Sequence, residues 1–246
     1  MRNTELAQTL ALIKPDALKN SLTGYVLSQL SEFHTGLRFA GAKVVHVTRM
    51  LAEEHYAEHR GKVFFDSLVD YIRGRLHNPN EPWKQRVIAI VYQGPNAVEH
   101  LREVVGPTNP HFAREQKPGS IRSLGTIVPL TDPAGMVIGE RWDNLIHASA
   151  TAEEAEREIK LWFKPNDIPP HMRTYPTQQS KGHYYFREYR IFTRYEPGSI
   201  CLFAPGDVGW ESDLLVLDAI CQEQSPAYSL QAVAAKYLTN MTEEEE

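Results

Sequence analysis

The chain has 246 residues, 42% of them hydrophobic and 23% charged, with a formal net charge of -5. That length holds one large domain or a smaller domain with an appendage, and the negative balance excludes a global attraction to nucleic acid while leaving room for a local basic pocket. Two late cysteines, Cys201 and Cys221, do not suggest a disulfide scaffold, and no secretory h-region or run of transmembrane length is present, so a cytoplasmic chain with no membrane partner is expected.

The first apolar run, TLALI at residues 9–13, fits a buried strand that Pro15 must end. Lys14 then stands at a strand end, either reaching over a cleft or snorkelling at the surface. Residues 18–30 read as one helix, with Tyr25, Val26, Leu27 and Leu30 as apolar contacts, Phe33 extending the buried face and Gly36 breaking it. AKVVHVTRM, at 42–50, contains a second strand, and a helical segment starts at Ala52. Tyr56, Phe64 and Phe65 are either core or, in part, a platform for a flat ring. FDSLVDYI, at 65–72, reads as another helix, and the polar, turn-rich residues 74–85 as a loop.

RVIAIVY, at 86–92, is the strongest central-strand signal, ended by Gly94 and Pro95. A helix follows over 96–105, with Arg102 near its final turn. Residues 106–110 form a rigid irregular turn, and a further irregular stretch leads to Arg122, a forked anion donor. TIVPL and MVIGE form a small hairpin around TDPAG. Then comes NLIHASATAEEAEREIKLWF, at 144–163. Leu145 and Ile146 anchor an extended segment that presents His147, and an amphipathic helix follows. Thr151 fits its N-cap better than Ser149, because Glu154 then takes the capping-box position. The order of elements predicts an α/β fold, a sheet with helices on one face and either the C-terminal region or another subunit on the other.

Lys14, Tyr56, Phe64, Arg102, Thr108, Arg122, Asn144 and His147 together carry a chemistry. Two arginines and a lysine neutralise a polyphosphate, a threonine adds a donor, and an aromatic stacks on a base. A histidine nitrogen accepts a phosphoryl group and splits transfer into two displacements. Each residue alone also has an ordinary structural reading: turn residues for Thr108 and Asn144, a solvent-facing carboxylate for Glu158.

The ordered segments TLALIKPDA, EEHYAEHRGKVFFDSLVDYI, LREVVGPTNP, KPGSIR and NLIHASATAEEAEREIKLWF resemble the nucleoside diphosphate kinase family over roughly the first two thirds of the chain. The resemblance implies a ferredoxin-like antiparallel sheet covered by helices, and ping-pong phosphoryl transfer from a nucleoside triphosphate to a nucleoside diphosphate. It places His147 on the phosphohistidine, Lys14 on the catalytic phosphate-binding lysine and Glu158 on the carboxylate that orients the histidine. Tyr56 falls near the phosphates, Phe64 on the nucleobase, Arg102, Thr108 and Arg122 on the phosphates, and Asn144 on the ribose. It also implies Mg²⁺ bridging phosphate oxygens, with no direct protein ligand and Glu58 assisting at most through water, and a homo-oligomer.

The chain departs from the family's usual pattern in three places: a longer loop around residues 77–85, an insertion at 123–143, and Ala148-Ser149-Ala150 where Gly-Ser-Asp is common. Ala148 restricts the backbone, and Ala150 removes a carboxylate. Two alternatives follow, a nucleotide-binding regulatory protein and a protein-histidine phosphotransfer enzyme. Residues 1–164 are expected to form the kinase-like domain and 165–246 an extension for packing or oligomerisation. Its alternating aromatics and arginines favour packing over RNA binding, and residues 243–246 read as a solvated acidic tail.

Overall fold

In the computed structural model, which describes residues 6–240, strand β1 (Leu6–Ile13) is buried on both faces. Leu10 and Leu12 enter one hydrophobic cluster, and Ala11 and Ile13 the other. A strand with period-two side chains and no polar face must lie inside a sheet covered twice. The acidic run at 243–246 lies outside the described residues.

The expected single helix over 18–30 is two short ones, α1 (Pro15–Lys19) and α2 (Thr23–Gln29). Ser21 sits between them at φ +58°, a left-handed residue that breaks the helical backbone. α3 (Glu32–Thr35) is one turn at the surface, so Phe33 is 93% exposed rather than buried. β2 (Arg38–Val45) begins earlier than expected, and it also ends earlier, because the Thr48 side chain accepts the Leu51 N–H and starts α4 (Arg49–His55) there. α5 (Phe65–Ile72) has the predicted bounds.

β3 (Val87–Pro95) runs on through Gly94 and Pro95, which pair with Ala7 and Leu6. α6 (Ala97–Val105) follows as expected. α7 (Pro110–Gln116) replaces part of the stretch read as irregular. Its signal was local: Asn109 accepts the His111 N–H at 2.8 Å, and Pro110 occupies the first helical position. β4 (Thr126–Thr131) and β5 (Val137–Asp143) form the predicted hairpin, with Asp132 accepting the N–H groups of Ala134 and Met136 in the turn. β6 (Ile146–Ala148) and α8 (Ala152–Trp162) complete the core.

The main sheet has the order β2-β3-β1-β6 with every neighbouring pair antiparallel, a ferredoxin-like arrangement. Helices cover both faces, not one. Ala17, Val26, Ala97 and Leu101 of α1, α2 and α6 pack on one; Leu51 of α4 and Ile159 and Trp162 of α8 pack on the other.

The C-terminal residues form β7 (Thr177–Gln179), β8 (Tyr184–Arg187), β9 (Arg190–Phe192), β10 (Ile200–Phe203), β11 (Val208–Trp210), α9 (Glu211–Cys221) and α10 (Leu230–Ala234). β8, β9 and β10 make a three-stranded sheet, and β7 pairs with β11. Tyr184, Phe186 and Phe203 pack inside this region with Leu217 and Val233. Trp210 and Ala235 join the core cluster beneath α4 and α8, and Trp210 Nε1 donates to the Phe163 carbonyl at 2.7 Å. Among the described residues no helix is long and apolar enough to cross a membrane.

Candidate active site

The register between β1 and β6 sets Leu12 opposite His147, so the histidine emerges from the edge strand of the main sheet. The chain reaches that strand through Leu145, a buried leucine at φ +69°. Its N–H donates to Asp16 Oδ2 and its carbonyl accepts from the Lys14 N–H, both at 2.9 Å. This turn brings Asn144 and Lys14 together: Lys14 Nζ donates to Asn144 Oδ1 at 2.8 Å.

Thr151 caps α8 by accepting the Glu154 N–H, as its spacing predicts. Glu154 accepts from Ala150 N–H rather than from the cap residue itself. From that start, Ala155, Glu158, Ile159 and Trp162 share the buried stripe. Glu158 is therefore 3% exposed, not solvent-facing. Its Oε2 lies 2.8 Å from His147 Nε2 and accepts the Ser149 hydroxyl at 2.6 Å. Burial pushes the Glu158 carboxyl up, but the charge and hydrogen bond of His147, with His55 and Ser149, outweigh it and hold the pKa at about 2. Glu158 is thus a carboxylate at neutral pH. Ala148 carries no left-handed strain; it lies in β6 opposite Ala11.

Around His147 opens a cleft of about 420 Å³. All the predicted residues line it: Lys14, Tyr56, Phe64, Arg102, Thr108, Arg122, Asn144, His147 and Glu158. Burial and then Arg122 lower the Lys14 pKa to about 7. Arg122 is itself lowered to about 10, by burial first and then by Arg102. Its guanidinium donates to the carbonyls of Ile146 and Gly106 and to Thr108 Oγ1, so it clamps the 106–108 turn onto β6. Gly106 has φ +86°, and a Cβ there would stand 2.3 Å from Ser120 Oγ; no other residue fits that turn. The Asn144 amide is already engaged, with Nδ2 donating to the Thr108 carbonyl at 2.9 Å.

Sequence reasoning missed several cleft residues. His55 packs edge-on to His147, with ring centroids 4.6 Å apart, and burial pushes its pKa well below the usual value. Leu51, Ala52 and His55 form a helical buried stripe, a signal that was available. His55 Nε2 and the Tyr56 hydroxyl are both buried without a hydrogen-bond partner among the described residues. Unsatisfied polar atoms of this kind at a cleft wall favour a ligand that supplies the missing partners. Glu140, Arg141 and Trp142 reach the cleft from β5, within the insertion at 123–143 expected to border the site, although nothing in the sequence singles out these three residues.

Fold and site together define a ferredoxin-like α/β protein that presents a carboxylate-held histidine to a cationic, aromatic-edged cleft. The family model described as nucleoside diphosphate kinase matches residues 7–168. The chain is 40% identical over 164 residues to the nucleoside diphosphate kinase of Pyrococcus furiosus, covering 67% of this chain and 87% of that protein. It is 36% identical over 168 residues to that of Thermococcus kodakarensis, covering 68% and 83%. Among solved structures it is similar to the nucleoside diphosphate kinase of Aquifex aeolicus, with a TM-score of 0.52 and 29% identity over 67% of this chain and 99% of that one. The chain belongs to the nucleoside diphosphate kinase family and is an enzyme of that class.

Proposed function

We propose that this enzyme moves the γ-phosphoryl group of a nucleoside triphosphate to a nucleoside diphosphate through a phosphohistidine at His147. One observation carries the reading: His147 Nε2 is turned onto the Glu158 carboxylate, which leaves Nδ1 as the nitrogen able to attack from the cleft. Glu158 holds the tautomer with the proton on Nε2 and stabilises the positive charge that the ring gains on phosphorylation. The Nδ1 lone pair forms the bond to phosphorus. The bond to the bridging oxygen breaks, and the diphosphate leaves with that electron pair. A terminal oxygen of the acceptor diphosphate then attacks the same phosphorus, and the P–N pair returns to His147.

Lys14, Arg102 and Arg122 set positive charge around the travelling group. The Tyr56 hydroxyl and the Nε2–H of His55, whose Nδ1 accepts from Trp162 Nε1, are donors for phosphate oxygens. Phe64, 36% exposed at the cleft edge, offers a base-tolerant stacking face. Asn144 is assigned to the ribose end, while its present bonds position Lys14 and the Thr108 turn.

The cluster His55, His147 and Glu158 is geometrically compact, but two nitrogen donors in a buried setting do not suit Mg²⁺, which demands oxygen ligands and keeps water. Glu58 and Glu154, oxygen donors on the cleft wall, fit a Mg²⁺ ion held through water on nucleotide phosphates. When bound there, the ion would neutralise phosphate charge. Assembly as a homo-oligomer, with the extension as part of its surface, belongs to the same proposal.

Incubation with γ-labelled ATP and Mg²⁺ should label wild type and not His147→Asn, and the label should pass to an added nucleoside diphosphate. Nucleotide binding with no phosphoenzyme would instead mark a regulatory protein. Transfer from the phosphoenzyme to a protein alone would mark a protein-histidine phosphotransferase.

A further inference from the structure

The β4–β5 hairpin brings an arginine into the cleft whose chemistry the reaction above leaves unspent. Asp143, at the end of β5, is 6% exposed. It accepts from Arg141 Nε at 2.6 Å and Nη2 at 3.1 Å, and lies 2.9 Å from His77 Nε2. His77 comes from the loop over residues 74–85, and its own carbonyl is held by Lys19 Nζ at 2.6 Å. Two segments distant in sequence thus clamp one carboxylate, and that carboxylate fixes one edge of the Arg141 guanidinium. Burial would raise the Asp143 pKa, but the hydrogen bonds of His77 and Arg141 win and hold it low, so the clamp is charged.

The other edge of Arg141 is open. Among the described residues Nη1 has no hydrogen-bond partner, although only 14% of the side chain is exposed. Its guanidinium carbon lies 5.8 Å from the centroid of the Tyr71 ring, and Lys14 Nζ lies 4.9 Å from the same centroid. Arg141 thus shares the Tyr71 ring with Lys14 and lines the same cleft, where it adds a further cation to Lys14, Arg102 and Arg122. Arg122 differs: its bonds go to protein oxygens. A guanidinium locked along one edge, largely desolvated and free along the other, is preorganised for an oxygen anion, since the entropy of fixing it is already spent.

We propose that Arg141 is an additional anion-binding residue of this cleft: its free Nη1 donates to the phosphate chain of a nucleoside di- or triphosphate, while Asp143 and His77 hold it in position. The proposal rests on the nucleotide reading above. It gives the hairpin a role in binding substrate and gives the loop at 74–85 a role in supporting it.

The test compares full-length wild type, Arg141→Gln and Arg141→Lys. ADP and inorganic tripolyphosphate are titrated calorimetrically, and adenosine by ligand-observed NMR. Arg141→Gln should lose about 10-fold or more in affinity for ADP and tripolyphosphate, the scale of one charge-assisted hydrogen bond, with adenosine unchanged. The loss should shrink at high salt, and Arg141→Lys should recover part of it, because the charge remains while the fork to Asp143 is gone. ADP and tripolyphosphate affinities equal to wild type in Arg141→Gln would overturn the proposal. So would an adenosine affinity that falls in parallel with that of ADP, which would make Arg141 a structural staple. Labelling of wild type by γ-labelled ATP keeps the two readings apart: failure to label with an intact Arg141 effect removes the phosphoryl-transfer reading alone, and normal labelling with no Arg141 effect removes this proposal alone.

Discussion

Asp16 accepts the backbone N–H of Leu145 at 2.9 Å, and that bond holds a buried leucine in the left-handed region. A leucine there costs roughly 1–2 kcal/mol. The cost sustains the turn that carries Asn144 to Lys14 and aims β6 along β1. Asp16→Ala leaves the Leu145 N–H buried and unpaired, and should cost about 1–3 kcal/mol in urea unfolding. Asp16→Asn keeps an acceptor oxygen and should restore most of that loss. Equal stabilities for Asp16→Ala and wild type would show that the turn needs no such clamp.

Glu158→Gln tests the carboxylate behind His147. The amide fills the same space without the charge, so phosphoenzyme formation should slow on the order of 100-fold in rapid-quench labelling, with nucleotide affinity little changed. The stability effect has a defined sign. Glu158 titrates at about 2 in the folded chain against an ordinary value of 4.5, so the unfolded chain takes up the proton first. Its stabilising contribution is therefore present above pH 4.5 and fades as pH falls towards 2. The gap between wild type and Glu158→Gln should narrow over that window.

Lys14 gives a pH slope of the same sign in a higher window, but there the lowered pKa marks a destabilising burial of charge rather than a stabilising one. Its pKa is lowered from 10.5 to about 7, mainly by burial, so at pH 8 much of it is neutral. Between pH 7 and 10.5 the unfolded chain binds more protons than the folded one, so this residue's contribution to stability rises with pH across that range. A phosphate arriving beside Lys14 favours the charged form. ADP binding at pH 8 should therefore take up a proton, visible as a buffer-dependent heat in Tris and HEPES. The uptake should vanish near pH 5.5 and in Lys14→Met.

Trp210 ties the C-terminal region to the core by burying its ring and donating to the Phe163 carbonyl. Trp210→Ala should cost about 3–5 kcal/mol and open the region after α8 to limited proteolysis. Trp210→Phe keeps most of the packing and loses the hydrogen bond, so its cost should be nearer 1–3 kcal/mol. A proteolysis pattern unchanged in both variants would show that Trp210 does not fasten the region.

Much of the core was legible because its signals are local. The residues at 65–72 and 97–105 repeat with helical period, and the apolar runs at 9–13 and 86–92 stand out against their neighbours. Thr151 with Glu154 marks a helix start within four residues. Where competing local chemistry decided the outcome, the reading slipped. Ser21 split one helix, Thr48 started another early, and Asn109-Pro110 opened a helix within a stretch read as irregular. Glu158 was half legible: Ala155, Ile159 and Trp162 mark its face as the buried one, yet four glutamates within 153–158 resemble a solvated surface.

The sequence by itself determined which chemistry-bearing side chains exist, their order, and the helices and strands that carry them, because capping and hydrophobic period act over a few residues. The tertiary structure alone decided that they meet. Leu12 pairing with His147, Lys14 bonding Asn144, and His77 joining Asp143 from 66 residues away are contacts between remote segments, fixed by strand register and burial rather than by anything local. The same closure took Arg141 from an unremarked position in a hairpin to the wall of the cleft.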